Sequence, residues 1–319
     1  MLEKTVLNQL DTDQSKPQVM VTGASSIIGQ PVAQQLVSAG YQVMQISRNS
    51  VNGSAVSWDM TTGAGEEEVI EKISSVNGFY LVHCAPIWLL QQRLEWLISA
   101  GLRRAIVFSS SSIDGKGDSN SHSEQNIVQM LKTAEENAVK ICEMVNVDLT
   151  IFRPTMIYGY GQGQNLAFIA KIIKRFRCFP VASPALGLRQ PVHADDLAKA
   201  VAQAIGNQNT YAKKYTLSGA EALPYKEVVK RVFIALDQTP RIIALNGRLY
   251  RFALSLLCVA AKLFNKSLPI DPAMADRMQQ DLSFDHSSAT HDFGYKPNTF
   301  LPNGALDVVK LTSQTERQA

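Results

Sequence analysis

The chain has 319 residues, and 31 Lys and Arg against 28 Asp and Glu give it a formal net charge of +3. A hydrophobic share of 45% with 18% charged residues is typical of a folded globular protein, so the composition excludes a disordered chain. The near balance of charge offers little attraction to a polyanion, and we expect no nucleic acid partner.

Neither a membrane span nor a disulfide scaffold is expected. The longest nearly apolar stretch, residues 249–264, contains Arg251 and Lys262 and is shorter than the roughly 20 residues that a spanning helix needs. Residues 1–17 are polar and lack the apolar core of a signal peptide. The cysteines lie far apart, without a Cys-x-x-Cys pair, at positions 84, 142, 178 and 258. The sequence therefore predicts a cytoplasmic protein with reduced, buried thiols and no metal site.

Strands and helices are predicted to alternate through the first half of the chain. Short apolar runs predict six strands, at residues 18–21, 41–47, 55–58, 79–84, 104–109 and 149–152. Helical patterns fall between them, at residues 30–39, 66–73, 88–100 and 124–145. The last helix has a predicted buried face of apolar residues at positions 127, 131, 134, 138, 141 and 145. Because such alternation forms right-handed βαβ units, we expect an α/β fold with a Rossmann-like doubly wound parallel sheet.

A glycine-containing turn, TGASSIIG, follows the first predicted strand at residues 22–29 and opens the first helix. Gly23 and Gly29 would form the tight turn and allow close packing, while Ser26 stands where a third glycine would approach a pyrophosphate. The N-terminus of the helix would then point at the anion. The turn predicts a dinucleotide-binding loop, with a purely structural turn as the alternative. Its cofactor contacts are assigned to Gly23, Ser25, Ser26, Ile27, Ile28 and Gly29.

The end of the second predicted strand indicates which dinucleotide is bound. Proteins that bind NAD carry a carboxylate there, whereas an arginine accommodates the 2′-phosphate of NADP. Ser47 and Arg48 occupy this place, and no acid follows before Asp59. Since a guanidinium holds a phosphate dianion through paired hydrogen bonds, we expect NADP(H) to be favoured over NAD(H). A solvated loop arginine is the alternative.

The pattern loosens beyond residue 154, and the expected domain division follows from that change. Further elements are predicted at residues 193–203, 214–217 and 225–236, with mostly helical material at 241–280. We expect a polar leader, a dinucleotide-binding domain with returning segments, a small C-terminal substrate lobe and a tail. Their bounds are 1–17 for the leader, 18–154 with 189–218 for the domain, 155–188 and 219–311 for the lobe, and 312–319 for the tail.

Several short motifs follow one another in the order that is known from one family. They are residues 22–29 (TGASSIIG), 58–60 (WDM), 83–85 (HCA), 108–115 (FSSSSIDG), 153–159 (RPTMIYG), 190–197 (QPVHADDL) and 293–297 (FGYKP). Together they resemble the extended or atypical short-chain dehydrogenase/reductases, the NAD-dependent epimerase/dehydratase group, over nearly the whole chain. The resemblance implies further cofactor contacts at Asp59, Met60, His83, Cys84, Ala85 and Pro154.

The resemblance also implies an active site, from which one residue is missing. In this family a Tyr-x-x-x-Lys pair exchanges the proton and holds the nicotinamide ribose. Lys132 matches the lysine, with Glu136 four residues later, but Val128 stands at the tyrosine position. None of the nine tyrosines precedes a lysine by four residues. Ser111, or its neighbour Ser110, matches the residue that hydrogen-bonds the reacting oxygen. The catalytic residues are assigned as Lys132, Ser111 and, as replacement proton donor, Tyr158.

Three functions remain open from the sequence. An NADP(H)-dependent oxidoreductase or epimerase-like enzyme could take its proton from Tyr158 or from Tyr160, His83 or His122. The cofactor could instead be the ligand of a catalytically silent regulator or scaffold. A reaction that needs no phenol, such as reduction of an activated double bond, is the third. The leading prediction is the enzyme, acting on a sugar nucleotide or on a lipophilic carbonyl or alkene substrate.

Three further segments bear on the substrate and on partners. Basic residues that would hold a diphosphate, or form a solvated helix face, are Lys171, Lys174, Arg175, Arg177 and Arg189. The apolar stretch at 249–264 fits a pocket for a lipophilic substrate, a membrane-surface contact or a core-facing helix. The helix at 124–145 would form a homodimer interface, as the resemblance implies, or face the core. We therefore expect a small-molecule substrate, with a homodimer and a membrane surface as open alternatives.

Overall fold

The computed structural model describes residues 16–48, 55–74, 78–115, 121–263 and 272–301. The expected leader up to residue 15 and the expected tail at 312–319 lie outside the described residues. The strands are β1 (Gln18–Thr22), β2 (Val43–Ser47), β3 (Val56–Ser57), β4 (Phe79–His83), β5 (Leu102–Phe108), β6 (Asp148–Pro154), β7 (Ile157–Tyr158), β8 (Phe179–Ala182), β9 (Leu188–Arg189), β10 (Val192–His193), β11 (Lys213–Leu217), β12 (Leu223–Pro224) and β13 (Ile242–Leu245). The α-helices are α1 (Gly29–Ser38), α2 (Glu66–Ser74), α3 (Leu94–Ser99), α4 (Ser112–Gly115), α5 (His122–Met144), α6 (Gln164–Phe176), α7 (Ala194–Ala204), α8 (Tyr225–Ala235), α9 (Gly247–Leu263), α10 (Met274–Arg277) and α11 (Ser287–Phe293).

Seven parallel strands form the central sheet in the order β11-β6-β5-β4-β1-β2-β3. Thr22 at the end of β1 lies beside Ile46 of β2 and His83 of β4, so the carboxyl ends of these strands share one edge. The strand order reverses between β1 and β4, and ligands bind at this point in doubly wound sheets. The predicted α/β class with a Rossmann-like parallel sheet is confirmed.

Alternate residues of each strand face opposite layers of helices. On β1, Met20 packs into the core that contains Leu131 of α5. Its neighbour Val21 packs into the core on the other face, with Val32 of α1 and Leu197 of α7. Because both faces of the sheet are covered, its strands are continuous apolar runs, which is why the sequence revealed them.

Helix α5 buries part of the predicted face: Leu131, Ala134 and Ala138 are buried as expected. Ile127 and Val145, also predicted to be buried, are about half exposed. The residues that α5 buries are Glu124, Val128, Leu131, Ala134, Glu135, Ala138 and Cys142. Glu124 and Glu135 lie on this face because each is paired with an arginine. Apolar spacing therefore located the helix and part of its buried face, and it missed the two buried glutamates that arginines pair with.

A smaller lobe beyond the sheet has its own apolar core. Strands β8 and β13 pair in parallel, with Phe179 beside Ile242, and their core includes Ile173 of α6 and Phe233 of α8. Strand β13 lies in the region predicted to be mostly helical, so that prediction is wrong there. Its β-branched pair at positions 242 and 243 favours a strand, and the edge of β8 supplies the partner. The domain bounds stay a prediction.

The structure also bears on the expectations about membrane-spanning helices and about the cysteines. In the described ranges, no helix is long and apolar enough to cross a membrane. The four cysteines are unbonded to one another, but Cys178 and Cys258 are only partly buried, unlike Cys84 and Cys142.

Candidate active site

The 22–29 turn packs so tightly that two of its positions accept glycine only. Gly23 has a positive φ of 69°, and a Cβ there would lie 2.7 Å from the amide nitrogen of Ala85. A Cβ on Gly29 would overlap the carbonyl oxygen of Gly23. Both glycines thus hold the start of α1 against the end of β4, as the spacing predicts.

Ser26 uses its side chain within the turn. Its hydroxyl accepts a hydrogen bond from the Gly29 N–H at 3.0 Å and donates to the Cys84 carbonyl at 3.3 Å. Within the described residues, the N–H groups of Ile27 and Ile28 donate to no protein acceptor. Two N–H donors at a helix start are suited to a phosphate anion. The turn therefore leaves two N–H donors available to a ligand although its middle glycine is a serine.

A recess of about 560 Å³ lies beyond the ends of β2 and β3, on one side of the turn. Its lining is formed by Arg48, Ser57, Asp59, Ala64, Gly65 and Glu68. A hydrogen bond from the Thr61 N–H to the Asp59 carboxylate, at 2.8 Å, holds the pKa of Asp59 below its usual value. Ser47 and Met60 are buried and do not line the recess. Of the four residues predicted here, Arg48 and Asp59 are available to a ligand.

His83 is a buried, neutral residue of β4. Its Nε2 lies 3.1 Å from the Pro86 carbonyl, which can only accept, so Nε2 carries the proton. Nδ1 therefore accepts from the Thr22 hydroxyl at 2.8 Å. Burial lowers the pKa of His83 to about 4, and burial raises the pKa of the neighbouring Cys84 thiol. Both ring nitrogens of His83 are engaged, which does not favour it as a proton donor.

A cavity of about 660 Å³ lies on the other side of the turn, at the carboxyl ends of β5 and β6. Its polar lining includes Ser110, Ser111, Ser112, Glu124, Thr155, Gln162, Asn165, Arg189, Gln190, Tyr225 and Arg277. Its apolar lining includes Ile27, Met156, Ile157, Phe168, Met274, Met278, Leu282 and Phe284. Since Ile27 belongs to the turn, the cavity and the turn are contiguous. Its volume is that of a typical small-molecule site.

The serines after β5 are not equivalent. Ser110 Oγ accepts from the Ser112 N–H and lies 3.1 Å from the Ser112 hydroxyl, so it is engaged within the turn. Ser111 donates its N–H to the Pro154 carbonyl at 3.1 Å. Its hydroxyl makes no hydrogen bond to any described residue. This geometry favours Ser111 over Ser110 for contact with a ligand and gives Pro154 a positioning role.

The charged pair in the cavity, Glu124 and Arg277, was not identified from the sequence. Arg277 Nη1 lies 2.6 Å from Glu124 Oε1, joining α5 to α10 across the cavity wall. Glu124 stands one helical turn before Val128, on the same face of α5. That spacing of four residues was the available signal for Glu124. No local pattern marks Arg277, which lies 153 residues away.

Arg189 lines the cavity, whereas the other predicted basic residues do not. Its guanidinium donates to the carbonyls of Leu188 at 2.6 Å, of Gln280 at 2.8 Å and of Arg277, and it lies over the Tyr225 ring. The remaining residues of that group are exposed on or beside α6 and outside the lining, namely Lys171, Lys174, Arg175 and Arg177. They form a solvated face, the second of the two roles that the sequence allowed.

The predicted catalytic residues of α5 and β7 lie outside the cavity. Val128 is buried, and Lys132 is exposed. Glu136, the glutamate four residues after Lys132, is exposed, whereas its neighbour Glu135 is buried. Arg153 contacts both carboxylate oxygens of Glu135, at 3.0 and 2.6 Å. Tyr158 packs edge-on against the rings of His193 and Phe300. Ser111 is thus the predicted catalytic residue that the fold brings to the cavity.

Tyrosine is nevertheless present in the lining. Tyr225 stands at the start of α8, and burial raises the pKa of its phenol. Tyr160 lies elsewhere and donates to the Asp195 carboxylate. The phenol that the described lining offers is therefore one that the motif comparison did not single out.

Comparison with known proteins bears on this arrangement. Residues 85–217 match the model of the NAD dependent epimerase/dehydratase family. A UDP-glucose 4-epimerase of Vibrio cholerae is 22% identical over 336 residues, covering 94% of this chain and 96% of that protein. The structure of MoeE5 in complex with UDP-glucose and NAD has a TM-score of 0.69 at 16% identity, covering 94% and 99% of the two chains. The Thermotoga maritima UDP-glucose 4-epimerase with UDP-glucose has a TM-score of 0.64 at 16% identity and the same coverage.

Proposed function

We propose that the chain, whose residues 85–217 match the NAD dependent epimerase/dehydratase family, is an epimerase-like oxidoreductase that binds a nicotinamide cofactor and acts on a sugar nucleotide. The observation that carries the proposal is the recess and the cavity on either side of the 22–29 turn, at the carboxyl edge of one sheet. The structure of MoeE5, a complex with UDP-glucose and NAD, supports the same pairing of ligands.

The residues present fit a dinucleotide. The N–H groups of Ile27 and Ile28 would hold its pyrophosphate, and the recess with Arg48 and Asp59 would take the adenosine end. The nicotinamide end would extend past Ile27 toward Ser111. A bound nicotinamide supplies hydride exchange with a substrate carbon.

The cavity fits a sugar nucleotide through charge and shape. Arg189 and Arg277 bring two guanidinium groups to its wall, and Glu124, which is paired with Arg277, leaves one net positive charge there. A net positive wall suits a diphosphate, and the ring of Tyr225 suits a base or sugar. The apolar lining from Met274 and Phe284 keeps the lipophilic carbonyl or alkene as the second substrate class.

Two residues of this chain would act on the reacting group. Ser111 Oγ would donate a hydrogen bond to the oxygen on the reacting carbon and stabilise negative charge there. Tyr225 lines the cavity, which supports it over Tyr158 as the proton donor. Burial raises the pKa of this phenol and makes it a weaker acid than an ordinary tyrosine, so the case for Tyr225 rests on its place in the lining. Lys132 is exposed and does not belong to the cavity lining, so its role toward a nicotinamide ribose stays a prediction.

Replacing Ser111 with alanine tests the proposal. We expect kcat for interconversion of UDP-sugars, followed by NMR with cofactor present, to fall about 100-fold, as for other removed donors to a developing oxyanion. Ser110→Ala is the matched control and should change kcat by only a few-fold, because its hydroxyl is engaged with Ser112. Equal losses in both variants would contradict the role given to Ser111.

A silent cofactor-binding protein is the second candidate. The buried Val128 favours it, because valine has no dissociable proton to exchange at the position where the resembled family carries its tyrosine. Calorimetry separates the two candidates. Cofactor binding by the wild-type protein without turnover of any UDP-sugar or lipophilic carbonyl would support the silent protein and overturn the enzyme.

Preference for NADP(H) is proposed from Arg48, which lines the recess. We expect Arg48→Ala to weaken NADPH binding about tenfold or more while NADH binding changes less than twofold, since only NADPH carries the 2′-phosphate. Fluorescence titration with both cofactors measures this. Asp59→Asn is the companion variant and should weaken NADH more than NADPH. NADH binding as tightly as NADPH to the wild-type protein would refute the preference.

A further inference from the structure

Positive charge is concentrated in two segments of the smaller lobe. Residues 164–182 and 238–270 contain nine Lys and Arg and no Asp or Glu. The rest of the chain has 22 basic against 28 acidic residues, so it is net negative although the whole chain is +3. The small net charge of the whole chain is therefore the sum of one strongly basic region and a remainder that is net negative.

The fold brings these two segments together. Strands β8 and β13 pair in parallel, and the Phe179 N–H donates to the Arg241 carbonyl at 3.0 Å. The exposed basic end of α6, with Arg175 and Arg177, is thereby close in space to Arg241. Exposed apolar side chains, Phe176 and Ile243, lie among these cations.

Helix α9 follows β13 and turns its apolar face outward. Leu249, Phe252, Leu256 and Val259 recur at spacings of three, four and three residues, so they form one stripe. Each is between 54% and 63% exposed. The opposite face holds the helix against the lobe through buried residues Tyr250 and Leu254. A large exposed apolar stripe on a helix marks an interaction surface.

Basic residues border this stripe. Arg248 precedes Leu249 and is exposed, and Arg251 is exposed and paired with Asp276 of α10 at 3.1 Å. An apolar helical face beside cations is the pattern of a helix that lies in a lipid headgroup region. Each basic residue near an anionic bilayer contributes about 1 kcal/mol of attraction.

We infer that the α9 stripe, with the exposed basic residues at the end of α6 and just before β13, docks on an anionic membrane surface. A second copy of the chain fits this face less well, because two such faces would bring like charges against one another, among them Arg175, Arg177 and Arg241. The chain's own residues 302–319 carry two acids and two bases, so they offer no complementary charge. This inference does not depend on the proposed enzyme function. The ion pair between Arg251 and Asp276 connects α9 to α10, which contributes residues to the cavity wall.

Co-sedimentation of the full-length protein with vesicles tests the inference. We expect it to sediment with phosphatidylcholine vesicles that contain phosphatidylglycerol, less so as salt is raised, and not with phosphatidylcholine alone. The double variant Phe252→Ser/Leu256→Ser should lower binding about tenfold or more. Val37→Ser/Met144→Ser, at exposed apolar positions on α1 and α5, is the matched control and should bind as the wild type does.

If the α9 stripe does not bind a membrane, or binds a second copy of the chain, the experiments give different results. A wild-type protein that stays in the supernatant with both vesicles overturns membrane docking, and so does undiminished binding by Phe252→Ser/Leu256→Ser. Light scattering identifies a second copy: a dimer that the same double variant converts to a monomer, without vesicle binding, shows that the stripe is a self-association surface. Thermal melting of both double variants confirms that each is folded.

Discussion

Arg153→Met is expected to lower the free energy of unfolding by about 3–5 kcal/mol, the usual loss when one partner of a buried ion pair is removed. The carboxylate it leaves, Glu135, is 2% exposed and accepts two hydrogen bonds from Arg153. Its remaining contact, Lys214 Nζ at 3.5 Å, lies at the protein surface. Urea unfolding monitored by circular dichroism measures the loss.

Two further variants make this result specific. Lys214→Met removes the exposed partner of the same carboxylate and should cost no more than about 1 kcal/mol. Glu135→Leu/Arg153→Met removes both charges and should recover most of the stability that Arg153→Met loses. A loss below about 1 kcal/mol for Arg153→Met would show that the pair does not hold α5 to β6.

The ion pair also has a bearing on the site. Arg153 contacts Asp114 of α4 at 3.1 Å as well as Glu135 of α5. It therefore connects the end of β6 with the segment that carries Ser111 and with the helix that carries Glu124. Loss of Arg153 is expected to loosen the cavity wall in addition to destabilising the fold.

Lowering the pH from 7 to 4 is expected to reduce the free energy of unfolding of the wild-type protein by more than that of His83→Gln. The difference between the two losses should be about 3 kcal/mol. The folded-state pKa of His83 is about 4, because burial disfavours the charged ring, while the unfolded value is near 6.5. Between these values the unfolded chain binds one more proton than the folded chain. Stability from the neutral ring is therefore complete above about pH 6.5 and falls as the pH is lowered toward 4.

Chemical unfolding at a series of pH values measures this effect. His83→Gln loses stability at all pH values, so the informative quantity is the difference in slope between the two curves. Parallel curves for the wild type and His83→Gln would contradict a neutral, buried His83.

Of the predicted site residues, those assigned to a dinucleotide lie together at one edge of the sheet more completely than those assigned to catalysis. The 22–29 turn is local, since its glycines and the helix that follows lie within eight residues, and the structure has it as expected. Arg48 follows its strand directly and lines the recess. Lys132 and Tyr158 were placed by motif alignment, and the rotation of α5 and the packing of β7 leave both outside the cavity.

Within helix α5, the apolar pattern located the element and the middle of its buried face, since Leu131, Ala134 and Ala138 are buried as predicted. The pattern missed Glu135, which is buried and paired with Arg153 of β6. A spacing rule that counts only apolar residues treats this glutamate as a surface residue, and it therefore selected Ile127 in place of Val128.

The sequence by itself determined the parallel sheet and the tight glycine turn of residues 22–29 at its edge, because each follows from backbone preferences within a few residues. Tertiary structure alone decided the ion pair of Glu124 with Arg277 and the outward face of α9. Both depend on contacts between segments far apart in the chain. Whether a charged or apolar side chain is buried is set by the partner that packs on it, which local sequence does not specify.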